Sequence, residues 1–326
     1  MPTFSIAETA SRSPDPVRYV APSSQSDQQS SKAIVTNFGT AGLINMPSAA
    51  ALPEGELSIY QRNNSILSRT GIAFQLTPRL GLAFQYSGQG NDSNLGWGRH
   101  NWDRSFNLHF NLMRESKALP AVSFGLRDFI GTGWYSSEYI VGTKTVGPIG
   151  VTAGLGFGRL AGRNQIANPF STISGSFKTR SGRDGGLGGT LGNIQWFRGP
   201  ASPFAGVTYV LNDKVTLAAE YSPDLMNREA GYLAVKSPYN VGMSYRWSDM
   251  FSLDAQYLHG STVSLGANIH LNPKRPPNGN GKELAPVPMR RRAIEGGPWA
   301  ETNIAAIKNV FEADEFLVTG MVLKAD

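Results

Sequence analysis

The stretch "LNDKVTLAAEY" (residues 211–221) decides how the chain is read. Asn212 and Asp213 are polar turn-formers placed before an alternating run. Val215, Leu217, Ala219 and Tyr221 fall in one phase, and Lys214, Thr216, Ala218 and Glu220 in the other. A period of two with one apolar face is a strand, and the polar pair before it is a tight turn. What remains to be decided is the medium that the apolar face meets.

The pattern recurs. "LTPRLGLAFQY" (76–86) and "WSDMFSLDAQY" (247–257) share the form of an apolar residue, a short polar turn and an alternating strand ending in Tyr. "SFNLHFNLM" sets Phe106, Leu108, Phe110 and Leu112 against Asn107, His109 and Asn111. "IGVTAGLGF" puts Ile149, Val151, Ala153, Leu155 and Phe157 in one phase, and "STVSLGANIHL" does the same with Val263, Leu265, Ala267, Ile269 and Leu271. Short links ("TPR", "ESKAL", "VGP", "ND", "SD") alternate with long ones at 88–102, 130–137, 159–201 and 223–238. That bookkeeping yields twelve strands if "TLGNIQWFR" (190–198) belongs to a long loop. Short turns at one end, long loops at the other and an even strand count are the arrangement of an outer-membrane barrel. No run nears the roughly 18 consecutive apolar residues of a spanning helix. The competing architecture is a soluble β-sandwich, in which the same alternation fills a protein core.

The expected fold is therefore all-β, an antiparallel transmembrane β-barrel of about twelve strands. A disordered N-terminal segment precedes it and a small α/β C-terminal fragment follows. The expected boundaries are 1–36 for the disordered segment, 37–55 for a loop or candidate plug, 56–272 for the barrel, 273–299 for a Pro/Gly/Lys linker and 300–326 for the start of a periplasmic α/β domain. Segment 37–49 is a plug candidate because Gly39, Gly42 and Pro47 favour irregular backbone. Inner-phase small residues (Gly81, Ala83, Gly125, Gly154, Gly156, Gly242, Gly266) argue against a pore lined by charge, and the glycines of "GLGFG" (154–158) suit the close approach of a plug or a polymer.

Composition narrows the function. Of 326 residues none is Cys, which removes disulfides, thiolate metal sites and a thiol nucleophile. The formal charge is +6, but the one dense basic cluster, Arg290–Arg292, lies in the linker, so nucleic acid is not an expected partner. The four histidines (His100, His109, His259, His270) show no zinc spacing. His109 and Ser123 could approach across strands, but no nucleophile motif marks them, so no catalytic residue, metal or cofactor is expected. "GRDGGLGG" (182–189) follows no strand and opens no helix, and reads as a loop, not a phosphate cradle. The lumen candidates are Gln75, Gln85, Asn107, His109, Asn111, Glu220, Arg246, Asp254, Gln256 and Asn268. Their mostly neutral hydrogen-bonding groups suit a hydrated polymer.

Particular blocks then carry a resemblance. "GTAGLINMPSA" followed by "PEGEL", then "GLRDFIGTGWYSSEYIVGTK" (125–144), "GLGFGRLAG" with "NPF", "WFRGPASPFAGVTY" (196–209) and "SPYNVGMSYRW" (237–247) occur in that order. Together they resemble the YjbH family of outer-membrane proteins tied to exopolysaccharide and group 4 capsule export. The resemblance covers about residues 37–272. It implies a non-enzymatic barrel that assists exopolysaccharide or capsule export or assembly. It would sit in the bacterial outer membrane with both termini in the periplasm. Its partners would be outer-membrane lipid, exopolysaccharide and periplasmic polysaccharide-secretion proteins. Within the family-like blocks Arg127, Asp128, Tyr135, Tyr139, Arg159 and Trp196 are the polysaccharide-contact candidates, since aromatic faces with fixed polar neighbours suit sugars. Family members are longer and carry a lipoprotein cysteine, so an incomplete N-terminus is expected here. A general diffusion porin and a scaffold that docks periplasmic partners are the alternatives.

Overall fold

The computed structural model describes residues 33–89, 101–181, 195–229 and 233–273. The expectations for residues 1–32, 190–194 and 274–326 lie outside the described residues.

Among the described residues two short strands, β1 (Ile34–Val35) and β2 (Ala41–Gly42), pair with each other outside the barrel sheet. The remaining twelve close into one antiparallel barrel: β3 (Leu57–Asn63), β4 (Leu67–Gln75), β5 (Leu80–Gln89), β6 (Asn101–Met113), β7 (Ala121–Arg127), β8 (Ser137–Val146), β9 (Ile149–Gly158), β10 (Ala201–Val210), β11 (Val215–Tyr221), β12 (Tyr239–Arg246), β13 (Phe251–Leu258) and β14 (Thr262–Leu271). Each pairs with its sequence neighbour, and β14 returns to β3 through the register Leu265↔Asn63 to Leu271↔Leu57. Closure leaves no strand edge, which matters because an unpaired backbone group in hydrocarbon costs several kcal/mol.

The opening stretch behaves as its alternation requires. Ala218 and Glu220 are buried, while Leu217 is exposed and Val215, Ala219 and Tyr221 are partly so. Around the barrel the outward phase leaves Ile72, Phe74, Leu82, Phe106, Val151, Val207, Val241, Leu253 and Leu265 exposed. A continuous apolar outer surface around a polar interior is the inverse of a soluble domain, and it marks the face that meets lipid. Tyr86 stacks on Trp102 with centroids 4.7 Å apart, and Tyr221 lies 5.7 Å from Tyr239.

The short links hold themselves closed with side-chain oxygens. Asn212 Oδ1 accepts from the Lys214 and Val215 amides, and Thr77 Oγ1 accepts from those of Arg79 and Leu80. These are local turns that need no tertiary support. At the other end the described parts of the long link, 159–181 and 195–200, fold back on the outward face. Phe157, in the lipid-facing phase by alternation, is fully buried there because Phe170 and Phe197 stand 5.9 and 5.4 Å from its ring. Arg180 from the same link pairs with Glu138 at 2.6 Å. Residues 195–198 form a turn in this cap and do not join the wall.

A closed, lipid-facing barrel resists detergent until heated. In SDS gels the unheated protein is expected to run ahead of the boiled one. Identical migration after successful refolding would contradict the barrel.

Candidate functional site: a filled lumen

The inward phase does not line an open channel. Residues 33–52 pass inside the barrel, and most of them are buried, with Leu43, Ile44 and Met46 no more than 2% exposed. The chain enters among Lys214, Thr216, Arg246 and Ser252 near the short-turn end, where residues 33–35 line a small cavity with them. It rises, reverses through the turn at 36–40, and runs back to β3. Gly39 takes φ +74° in that turn, and a Cβ there would meet Ala83 and Tyr60 within 3 Å, so glycine is required.

A loop crossing a barrel has few backbone partners of its own, so the wall must supply them. Glu220 on β11 does most. Its carboxylate accepts from three consecutive amides, those of Ile44, Asn45 and Met46, at 2.9–3.0 Å, and is oriented by Asn240 Nδ2 at 2.8 Å. Successive amides converging on one carboxylate form an anion nest with charge-assisted bonds. On the opposite side Asn107 donates to the Phe38 carbonyl, and Asn111 and Ser123 both donate to that of Ala49. Thr143 Oγ1 accepts from the Ala49 amide and Gln75 Oε1 from that of Leu52. Arg62 reaches the Val35 carbonyl and Asn37 Oδ1, and pairs with Asp254 at 2.9 Å. Gln256 Oε1 accepts from Asn37, and Arg127 donates to the Asn45 carbonyl at 2.6 Å. The apolar side chains of the plug pack on Ala121, Tyr139, Val141, Phe204 and Ala218. A Cβ on Gly242 would stand 3.2 Å from Ile44 Cδ1. Gly125 instead makes room for the Tyr139 ring of the next strand, as Gly71 does for Tyr60. The small inner residues therefore admit wall aromatics as well as the plug.

All ten lumen candidates lie in the inward phase. Gln75, Asn107, Asn111, Glu220 and Gln256 bond the plug directly, and Asp254 and Asn268 do so through Arg62. Gln85 meets the Tyr60 hydroxyl and His109 Nδ1 the Tyr139 hydroxyl at 2.9 Å. Arg246 stands at the short-turn mouth. Of the polysaccharide-contact candidates, Arg127, Asp128, Tyr135 and Tyr139 are no more than 2% exposed and face the plug or each other. Asp128 Oδ2 accepts from the Tyr135 amide. Trp196 is half-buried in the outer cap, apart from the others. Arg159 bridges Asp224 at 2.7 Å and Glu229 at 2.8 Å. Burial alone would lower Arg159, but these two carboxylates hold it above its ordinary range. In the neighbouring turn burial pushes the His259 imidazole down to about 4, against the pull of Asp224, so it is neutral at physiological pH.

Sequence reasoning passed over Arg62, Arg69, Thr143 and Phe38. The signal for Arg69 was present: once Ile72 and Phe74 are assigned to lipid, the alternation of "SRTGIAFQ" sends Arg69 and Gln75 inward.

A closed antiparallel barrel with an apolar belt and a hydrogen-bonded internal plug defines the class, an outer-membrane-type β-barrel. The YjbH family model, described as exopolysaccharide biosynthesis protein YbjH, matches residues 34–325, and the chain belongs to that family. The uncharacterized lipoprotein YjbH of Escherichia coli (strain K12) is 34% identical over 244 residues, 73% of this chain and 35% of that protein. The chain thus spans about a third of that relative's length. Among solved structures, a KdgM porin in complex with disordered oligogalacturonate aligns with a TM-score of 0.36 and 9% identity over 67% of this chain and 98% of that one. A COG4313 outer membrane channel from Pseudomonas putida F1 gives 0.35 and 10%, over 68% and 97%. Outer membrane phospholipase A from Escherichia coli gives 0.30 and 13%, over 68% and 93%. These are distant likenesses, and the barrel rests on the strand ladder of the chain itself.

Replacing Glu220 with Ala strands three buried amides. Each charge-assisted bond is worth about 1.5–3 kcal/mol. Amide exchange at residues 44–46 is expected to accelerate at least tenfold in Glu220→Ala and less in Glu220→Gln, with the barrel strands unchanged. Equal protection in all three proteins would remove Glu220 from this role.

Proposed function

We propose that the chain is an outer-membrane barrel assisting export or assembly of an exopolysaccharide or capsule, its lumen closed by residues 33–52 in the state described here. The observation that carries the reading is the wall of neutral amide and hydroxyl side chains (Gln75, Asn107, Asn111, Ser123, Thr143, Gln256), each now bonded to backbone of the plug or to its Asn37 side chain. The same donors and acceptors match the hydroxyls of a hydrated polymer once the plug yields. The family's description as exopolysaccharide biosynthesis supports the substrate class. The short-turn end would face the periplasm, with secretion proteins docking there and at sequence beyond residue 273.

A general diffusion porin needs a permanently open lumen, and the buried plug counts against it. A scaffold that only docks periplasmic proteins would have no use for a lumen lined with amide and hydroxyl groups.

The test is deletion of the gene in the source bacterium, with surface, secreted and periplasmic polysaccharide assayed separately. Polymer retained in the periplasm, or lost from the surface and restored by the full-length gene, is expected. Unchanged polymer in all three fractions would overturn the export role.

A further inference from the structure

Phe38, in the turn of the plug, is held in a stack of cations and rings. Arg127 Cζ lies 4.1 Å from the Phe38 centroid and Arg69 Cζ 4.4 Å from it. The stack continues from Arg69 to Tyr135 at 5.0 Å and from Tyr135 to Arg159 at 4.7 Å, and from Arg127 to Tyr139 at 5.6 Å. Arg159 has its two carboxylates. Arg69 and Arg127 are 4% and 2% exposed, and neither forms an ion pair among the described residues. Among the described residues, Arg69 Nε and Nη2 and Arg127 Nε have no hydrogen-bond partner. Carboxylates act on the two arginines only from beyond ion-pair distance, Asp103 on Arg69 and Glu220 and Asp224 on Arg127, and a ring face offsets only part of the cost of burying such a cation. Arg69 and Phe38 also line a narrow cavity on the long-loop side of the plug, with Asn37, Asn45, Ser222 and His259 around it.

We propose that Arg69 and Arg127 form a recognition site for the carboxylate of an acidic saccharide, and that the Phe38 ring occupies the slot between them when no polymer is present. The proposal rests on the export reading and names the class of polymer, one bearing uronic acid groups. A guanidinium fork pairs with a planar carboxylate through two parallel N–H donors; Arg69 offers Nε and Nη2 for that, and Arg127, whose Nη2 is taken by the Asn45 carbonyl, adds its Nε. The Tyr135 and Tyr139 rings flank the slot, and the neutral cavity groups suit sugar hydroxyls. Asp224 and Glu229 line the same cavity but are paired with Arg159, which leaves Arg69 as the cation facing the ligand. The plug need not leave for the slot to open. Its body is anchored at 44–46, 49 and 52, whereas a single wall side chain, Asn107, holds the residue 38 backbone. Displacement of the Phe38 side chain is enough, with Asn37 still held by Arg62 and Gln256.

The experiment uses the full chain in detergent micelles, titrated calorimetrically with a six-residue uronic acid oligomer and with maltohexaose. Phe38→Ala is expected to bind the acidic oligomer at least tenfold more tightly than the wild type, with affinity falling as salt rises. Adding Arg69→Met is expected to abolish the gain, and the neutral oligomer is expected to bind none of the variants. Phe38→Leu keeps the packing without the aromatic face and serves if Phe38→Ala loses heat-modifiable migration. No gain in folded variants, equal binding of the neutral oligomer, or a gain that survives Arg69→Met would overturn the site. Binding is measured apart from secretion. An unchanged polymer distribution after gene deletion with acidic binding intact would sink the export reading and leave the site standing.

Discussion

The Glu220 carboxylate is the interaction on which the filled lumen depends. A chain crossing the inside of a barrel leaves its amides without strand partners, and three in a row at residues 44–46 point the same way. Only an acceptor with several lone pairs can take them together, and a carboxylate held by Asn240 does so. With that end fixed, Leu43, Ile44 and Met46 are placed against the Tyr139–Phe204 side of the wall, and the return leg is set for the Asn111, Ser123 and Thr143 contacts.

The wall and the plug are thus two halves of one polar ledger. On its own the wall would carry buried amides and hydroxyls facing each other across water. On its own the plug would be a polar-backboned loop with too little regular structure to persist, its β1–β2 pairing being two residues long. Joined, each satisfies much of the other, Arg69 Nε and Nη2 and Arg127 Nε being left without partners among the described residues, and the lipid-facing phase takes no part. This separation explains how one strand can carry Leu217 toward lipid and Glu220 toward the plug three residues later.

The barrel was legible because period-two alternation and turn chemistry are local. "ND", "TPR" and "SD" announce their turns, and the apolar phase of each strand names its lipid face. The inward direction of Asn107, His109, Asn111 and Glu220 followed from the same count. Their partners were not legible, since Glu220 meets amides 174–176 residues away and nothing in either segment records the other. Phe157 shows the limit from the other side. Its phase points to lipid, yet a distant Phe170–Phe197 cap buries it. The buried segment likewise begins before Asn37, with Val35 and Thr36 already inside, because burial in a lumen asks for no helical or strand period that composition could reveal.

The filled lumen requires that residues 33–52 stop it. Conductance in planar bilayers tests it most directly, comparing the wild type with a variant lacking 33–52 that still shows heat-modifiable migration. Little steady conductance is expected for the wild type, and open channels at least tenfold larger for the deletion. Large, steady channels in the wild type, or a folded deletion variant that conducts no better, would contradict it.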